Sequence, residues 1–216
     1  MQLGVHMSHP RFIDLDRIRS ASLSRDPYPH FLSSDFLFKD GLADLRRDFP
    51  AITKPGYLTV DEVLSRGAFK ELVEELEGPE LTEGLSHKFD LDLHAYPRLT
   101  TVMRWSQRKY GAIHTDGASK VMTMLIYINE GWDTDEGGRL RVLYDGKNYE
   151  RYAIEVPPTM GHVFGFLRSD KSWHGHLPFT GERKVIQIAW IRDRAALERK
   201  KRRNTVAQAF KSIFGV

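Results

Sequence analysis

The sequence predicts one α+β domain in which helices pack on one face of a β-sandwich or barrel. Apolar residues recur at helical spacing within residues 1–90, whereas residues 91–191 hold short apolar segments separated by Gly, Pro, Asn and Asp. Helices followed by a run of short strands are typical of this class. A chain of 216 residues is long enough for one well-buried core and short for two. We therefore expect a single domain with a helical part at 1–90, a β core at 91–191 and a basic C-terminal helix at 192–216.

The helices are predicted from the spacing of apolar residues. Residues 39–49 and 61–77 each place apolar side chains on one helical stripe, and Asp61 fits the N-cap of the second helix. A shorter helix is predicted over residues 80–87. In the C-terminal helix, a basic run is followed by an apolar stripe that could dock on the sheet, on a second subunit or on a membrane surface.

The strands are predicted from short segments that are rich in β-branched and aromatic residues and bounded by turn-forming residues. Each segment is too short for an independent helix, and together they fill the β core. The predicted strands are 91–95, 99–105, 110–114, 121–128, 139–144, 149–155, 162–167, 172–176 and 183–191.

Composition excludes several classes of site. The chain has no cysteine, which excludes disulfides, thiolate-bound zinc and cysteine nucleophiles, so any metal must bind to His and carboxylate side chains. The net charge is only +3, from 32 basic and 29 acidic residues, and this does not require a nucleic-acid partner. No apolar run approaches the length of a membrane span, and no signal-peptide core is present. We expect a cytoplasmic protein.

His114 and Asp116 are the first candidate metal ligands. On a strand, residues two positions apart project from the same face, so an imidazole and a carboxylate would converge on one point. A His-x-Asp alone is more often a surface histidine beside a turn aspartate. The prediction therefore depends on a third ligand further along the chain.

His174 is the candidate for that third ligand. If residues 172–191 form a hairpin that turns at 178 and 179, His174 lies directly opposite Arg183 and their side chains share a face. His176 has the same parity and is the second choice as ligand. His162, which would begin the preceding strand, is the weakest candidate.

Two histidines and one aspartate form the facial triad suited to non-haem iron(II), which leaves coordination positions open for a co-substrate and oxygen. Arg183 indicates the co-substrate. A 2-oxo dicarboxylate would chelate the iron at one end, and its far carboxylate would need a fixed, charged, bidentate partner, for which arginine is better suited than lysine. The residues thus predict Fe(II) on His114, Asp116 and His174 and 2-oxoglutarate on Arg183.

These residues resemble a known family. The HTD at 114–116 and the HGHLP at 174–178, followed by Arg183, are similar to the motifs of the prolyl-hydroxylase-like branch of the 2-oxoglutarate- and Fe(II)-dependent oxygenases. Residues 123–143 resemble that family's strand ending in Tyr-Leu-Asn, with the following Trp, Gly-Gly pair and next strand. The resemblance extends over most of residues 26–191.

The resemblance implies a double-stranded β-helix (jelly-roll) core with N-terminal supporting helices and a C-terminal helix. It implies a dioxygenase that hydroxylates an unactivated C–H bond and releases succinate and CO2. Tyr127 takes the place of a tyrosine that supports the arginine in binding 2-oxoglutarate. Asp116 favours oxygen insertion over halogenation, because the family's halogenases have a small residue at that position.

One position departs from the family pattern. The family often has a tyrosine three residues before the first ligand, and this chain has Gly111 there, with Tyr110 beside it. The tyrosine is thus shifted by one residue along the chain. No contact with 2-oxoglutarate is therefore assigned to Tyr110.

Two other functions fit parts of the sequence. A metal-binding jelly-roll could sense a ligand without turnover, and a nucleic-acid-binding module could act through the basic run at 199–203. The oxygenase accounts for the joint spacing of four residues, so we favour it. Its expected partners are O2 and a small-molecule substrate or an exposed peptide side chain, and nucleic acid is not expected. The sequence defines neither the substrate nor the oligomeric state.

Overall fold

Two antiparallel β-sheets form the centre of the computed structural model, which describes residues 11–133 and 137–202. Helices precede most of the strands in the chain. The predicted combination of N-terminal helices and an antiparallel β region is thus confirmed. The strands are β1 (His30–Ser33), β2 (Leu58–Thr59), β3 (Arg98–Ser106), β4 (Lys120–Tyr127), β5 (Leu140–Leu143), β6 (Tyr152–Val156), β7 (Val163–Leu167), β8 (His174–Gly175) and β9 (Gly181–Ile191).

The N-terminal helices include those predicted over 39–49 and 80–87. Both begin and end within a few residues of the predicted bounds. The helices are α1 (Leu15–Ser20), α2 (Leu42–Asp48), α3 (Gly67–Leu76) and α4 (Pro79–Phe89), with short 3₁₀ turns at Lys39–Gly41, Val60–Glu62 and Leu93–Ala95.

Helix α3 begins later than the sequence predicts, and the predicted N-cap at Asp61 is wrong. Thr59 and Glu62 form a capping box around the 3₁₀ turn, in which the Glu62 carboxylate accepts from the Thr59 backbone N–H at 2.7 Å. These contacts satisfy the local backbone donors without a continuous helix. The chain is extended again at Val63 before α3 starts at Gly67.

The larger sheet has the strand order β1-β7-β4-β9-β3-β2, and the smaller sheet has the order β6-β5-β8. The chain alternates between them near the C-terminal end of the β region, since β7 and β9 belong to the larger sheet and β8 to the smaller. Consecutive strands that lie in opposite sheets are a feature of sandwich folds. The N-terminal part also contributes β1 and β2 to the larger sheet.

Two predicted strands are absent from the structure. Residues 91–95 contain a 3₁₀ turn, in which the Asp92 side chain accepts from the backbone N–H of His94; this local bond competes with strand pairing. Residues 110–114 are a turn in which Gly111 has φ +85°, and within them His114 pairs as an isolated bridge.

The hairpin predicted between His174 and Arg183 is also wrong. His174 pairs with Val142 of β5 in the smaller sheet, whereas β9 pairs with β3 and β4 in the larger one. The connecting residues 176–180 form no strand and pass from one sheet to the other. His174 and Arg183 therefore approach each other from opposite sheets.

Both faces of the larger sheet are buried, and β4 shows how. Met122, Met124 and Ile126 pack in the apolar cluster shared with the helices, whereas Leu125 and Tyr127 pack in the cluster between the sheets. This is the two-residue alternation of a strand. It assigns the side chains of Leu125 and Tyr127 to the space between the sheets.

The C-terminal helix, here α5, is described over residues 194–202. Asp193 caps it by accepting from the Ala196 backbone N–H at 2.7 Å, and buried Ala196 packs against Leu99 and Ile191. The remainder of the predicted helix at 203–216, with its apolar stripe, lies outside the described residues. In the described part of the chain, every helix is too short or too polar to traverse a lipid bilayer.

Candidate active site

His114 and His174 face each other across an isolated antiparallel bridge. The backbone N–H of each donates to the carbonyl of the other, at 3.0 Å in both directions. Directly opposed residues project to the same side, and the two ring centroids are 4.4 Å apart. Thus one edge of β8 pairs with β5 and the other positions His114 beside His174.

Backbone carbonyls orient both rings. The Nδ1 of His114 lies 2.8 Å from the carbonyl of Ala112, and the Nδ1 of His174 lies 2.8 Å from the carbonyl of Ser172. A carbonyl only accepts, so each Nδ1 carries the proton and each Nε2 keeps its lone pair for a metal ion.

Asp116 is held by two donors in a buried position. Its Oδ1 accepts from Lys120 Nζ at 2.8 Å and its Oδ2 from Thr123 Oγ1 at 2.6 Å. Burial alone would raise the pKa of Asp116, but the adjacent Lys120 ammonium and the other donors lower it below its ordinary value. The carboxylate is therefore ionised, and its Oδ1 lies 3.9 Å from His114 Nε2.

The three side chains meet the requirements of a metal site. One ligand atom from each of His114, Asp116 and His174 lies within 4.8 Å of the others. Burial lowers the pKa of His174 to about 4, so its imidazole is neutral near pH 7, as metal binding requires. Two neutral nitrogens and one anionic oxygen fit a non-haem Fe(II) site. The structure thus brings together the three predicted ligands.

Arg183 and Tyr127 lie together between the sheets. Arg183 is only 2% exposed. Its Nε donates to the Gly138 carbonyl at 2.9 Å, and its terminal nitrogen donates to the Tyr127 hydroxyl at 3.3 Å. Burial raises the pKa of Tyr127 to about 12, so the phenol is neutral. Among the residues that the structure describes, no Asp or Glu forms an ion pair with Arg183.

Tyr57 is a site residue that sequence reasoning missed. It precedes β2, and Arg183 donates a hydrogen bond to it. Burial raises the pKa of Tyr57, and the charge of Asp116 acts on it in the same direction. Tyr57 therefore lies near both the metal ligands and the arginine. A lone tyrosine in an irregular loop carries no pattern that could have predicted this.

His176, the second choice as ligand, is outside the metal cluster. Its Nδ1 lies 2.8 Å from the Leu177 carbonyl. Burial lowers its pKa to about 4, and the charges of Arg183 and His114 act in the same direction. The ring therefore lies close to both His114 and Arg183. His162, the weakest candidate, instead contacts Thr159 at 2.9 Å.

His176 also explains the glycine at position 111. A Cβ on Gly111 would overlap the His176 ring, and the Gly111 carbonyl accepts from the His176 backbone N–H at 2.8 Å. Tyr110 points elsewhere, with its hydroxyl 3.3 Å from the Pro55 carbonyl. The imidazole thus fills the space that a side chain at 111 would need.

The β region matches the model of one protein family. Residues 94–192 match the family model described as the 2OG-Fe(II) oxygenase superfamily. The metal cluster, Tyr127 and Arg183 all lie within this stretch. A search of curated proteins found no match to the chain.

Solved structures share the fold. A prolyl 4-hydroxylase from Phytophthora capsici is similar with a TM-score of 0.58 and 22% identity, covering 88% of this chain and 68% of that one. A prolyl-4-hydroxylase from Pseudomonas putida gives 0.54 and 17% identity, covering 86% and 97%. At these identities the likeness concerns the fold. The family match over residues 94–192 agrees with the resemblance seen in the sequence, and Fe(II) and 2-oxoglutarate are the cofactors that the description of this family names.

Proposed function

We propose that this protein is an Fe(II)- and 2-oxoglutarate-dependent hydroxylase that inserts oxygen into an unactivated C–H bond of its substrate and releases succinate and CO2. In this proposal the two sheets form a double-stranded β-helix, and residues 1–216 form a single domain. Two prolyl 4-hydroxylases of similar fold support a hydroxylation. Because those two proteins are prolyl hydroxylases, an exposed peptide side chain is one candidate substrate, beside a small molecule.

The observation that carries the proposal is a buried, unneutralised arginine close to a metal triad, since Arg183 and a metal ligand both act on His176 and on Tyr57. Buried charges are normally paired, because an isolated charge in the interior is strongly unfavourable. The described residues offer Arg183 only a carbonyl and hydroxyl groups, which are neutral acceptors. An anionic ligand is therefore the missing partner. The far carboxylate of 2-oxoglutarate would supply this anion, and its 2-oxo acid group would bind the metal.

In this proposal each residue has a defined task. His114, Asp116 and His174 would hold Fe(II), which together with 2-oxoglutarate would supply the electrons that activate O2. Lys120 keeps Asp116 ionised and fixes its orientation. Arg183 would bind the co-substrate's far carboxylate, with the phenols of Tyr127 and Tyr57 as further polar contacts.

The apolar walls of the cavity protect this chemistry from water. Phe166 packs against His174 with ring centroids 4.7 Å apart, and Phe164 stacks on Phe166 at 5.4 Å. Both phenylalanines are fully buried. They close the side of the site that faces the larger sheet, so electrostatic contacts with bound ligands are stronger there than in water. Asp116 itself favours hydroxylation over halogenation, since its carboxylate occupies the position that a halide would need.

Succinate formation from 2-oxoglutarate tests the proposal. We expect His174→Ala and Asp116→Ala each to reduce it by more than about a hundredfold, because changes beyond the ligands alone reduce metal-site activity about ten- to a hundredfold. His87→Ala is the control, since this histidine is 79% exposed and lies on α4. Equal turnover in all four proteins would contradict the assignment. Mass gain of one oxygen in a metabolite or peptide pool then identifies the substrate.

A further inference from the structure

An open cleft lies beside the metal ligands, at the end of the site remote from Arg183. It has a volume of about 590 Å³, within the range of small-molecule sites. Its walls come from the turn after His114 and from helix α5. The cleft is lined by His114, Asp116, Gly117, Ser119, Lys120, Ala196, Arg199 and Lys200.

The exposure of the three ligands indicates that this cleft is the route to the metal. The side chain of His114 is 51% exposed, whereas that of Asp116 is 8% exposed. His174 is buried as well, at 5%. A substrate that approaches from solvent therefore meets the metal site from the side of His114, which is the side that this cleft occupies.

The cleft is strongly basic. Lys120, Arg199 and Lys200 line it, and among the residues that the structure describes the only acidic one in the lining is Asp116, whose charge is balanced by Lys120. Residues 192–202 contain six basic and two acidic residues, so their surplus exceeds the +3 of the whole chain. The positive charge of this protein is thus concentrated at the entrance to the metal site, where it attracts anions.

Helix α5 holds these charges in place. Asp193 caps the helix, and buried Ala196 packs against the larger sheet. Lys201 adds a bond of 3.3 Å to Asp61 in the N-terminal part. Lys120 has three N–H donors, and Asp116 takes one of them. The cleft therefore combines a fixed buried ammonium with two cations on an anchored helix.

We propose that the substrate is a small anionic molecule, whose phosphate or carboxylate group binds to Lys120, Arg199 and Lys200 while the C–H bond to be hydroxylated lies beside His114. This inference rests on the proposed function and specifies its substrate class. It differs from co-substrate binding, because 2-oxoglutarate is assigned to Arg183 at the closed end of the cavity.

Calorimetric titration of the Fe(II)–2-oxoglutarate protein without oxygen tests this. The probes are phenyl phosphate, benzoate and the neutral benzyl alcohol, which share one ring and differ in charge. We expect one or both anions to bind and benzyl alcohol not to bind. In Arg199→Ala/Lys200→Ala, affinity for the anion should fall by about tenfold or more, because hydrogen bonds to charged groups contribute that much. Arg194→Ala, which removes an exposed charge from the same helix outside the cleft, should leave the affinity unchanged.

The outcomes separate the possibilities. Binding of phenyl phosphate alone, or of benzoate alone, supports the proposal and identifies the anionic group. Failure of both anions to bind, equal binding of benzyl alcohol, or equal affinity in the double variant and the wild type overturns it. An equal loss in Arg194→Ala also overturns it, since the effect would then reflect overall charge. Succinate formation that depends on His174 would still stand in each of these cases, so a failed substrate class is distinct from a failed oxygenase assignment.

Discussion

The two ends of the cavity differ in exposure and in charge. At the metal end, the His114 side chain is 51% exposed and a basic cleft opens beside it. At the arginine end, Arg183 is 2% exposed and is enclosed by Tyr127 and Tyr57. The metal end has its anion, Asp116, already paired with Lys120, whereas the described residues give the cation at the other end only neutral partners.

This difference reflects what each end must do. Substrate must enter and product must leave at the metal, so that end remains accessible, and its buried carboxylate is paired with Lys120. The far carboxylate of a co-substrate needs only a fixed positive charge that is shielded from water, because an ion pair is strongest there. Variants at the metal end should therefore change metal binding and stability, whereas variants at the arginine end should change the affinity for the co-substrate.

The largest effect is expected from removing the carboxylate at the metal end. Asp116→Ala leaves the Lys120 ammonium buried without its partner, and breaking such a pair costs about 3–5 kcal/mol. Urea denaturation of the metal-free protein measures this loss. Asp116→Ala/Lys120→Met should recover most of it, since no buried charge then remains. Equal stability of the single variant and the wild type would show that the ion pair contributes nothing.

At the arginine end, Arg183→Lys should weaken 2-oxoglutarate binding without changing Fe(II) affinity. Lysine keeps the charge but lacks the planar fork that matches a carboxylate. We expect the KM for 2-oxoglutarate to rise by roughly ten- to a hundredfold, which corresponds to about 1.5–3 kcal/mol for a hydrogen bond to a charged group. A parallel loss of Fe(II) affinity would mean that the two ends are not independent.

Between the two ends, Gly111→Ala should destabilise the protein by about 1–3 kcal/mol. Gly111 has φ +85°, and a Cβ there would overlap the His176 ring. Gly117→Ala is the matched control, because a Cβ at that position meets nothing within 4 Å. Thermal unfolding compares the two. If Gly111→Ala/His176→Ala is no more stable than Gly111→Ala, the strain is in the backbone and not in the contact with the ring.

The smallest effect is expected from Tyr127→Phe. The hydroxyl accepts from Arg183 at 3.3 Å, while Gly138 and Tyr57 remain as acceptors. Loss of one such bond costs about 0.5–1.5 kcal/mol, so the KM for 2-oxoglutarate should rise by no more than about tenfold. Tyr144→Phe, at a tyrosine that is 45% exposed, serves as control. A rise in this KM larger than that caused by Arg183→Lys would mean that Tyr127, and not Arg183, is the main contact of the carboxylate.

Strands β3, β4, β7 and β9 of the larger sheet were predictable, because each is a short segment rich in β-branched and aromatic residues between turn-forming ones. The two-residue period of a strand places Tyr127 on β4 and Arg183 on β9 in the same space between the sheets. The chemistry of a 2-oxo dicarboxylate predicted the role of Arg183, and family resemblance predicted that of Tyr127. The pairing of His174 was not predictable from spacing alone. A short segment containing Pro178 fits a tight turn and a crossing between sheets equally well, and the choice depends on contacts with β5 that lie far away in sequence.

The residues that contact Asp116 and Arg183 could not be predicted from the sequence either. Lys120 and Thr123 reach Asp116 because β4 begins directly after the metal-binding turn. Tyr57 reaches Arg183 because the edge strand β2 pairs with β3. Such contacts are set by tertiary packing, and no local pattern of residues reports them.

The crossing at residues 176–180 places His174 and Arg183 on different sheets, and this fixes the separation between them. His174 is fixed to the smaller sheet and Arg183 to the larger one, although nine positions separate them along the chain. Packed sheets keep a spacing of about 10 Å, which side chains in the core maintain. The separation of His174 from Arg183 is thus a property of the whole sandwich. If 2-oxoglutarate binds as proposed, we expect a diacid one carbon shorter to bind less tightly, because neither residue can shift alone.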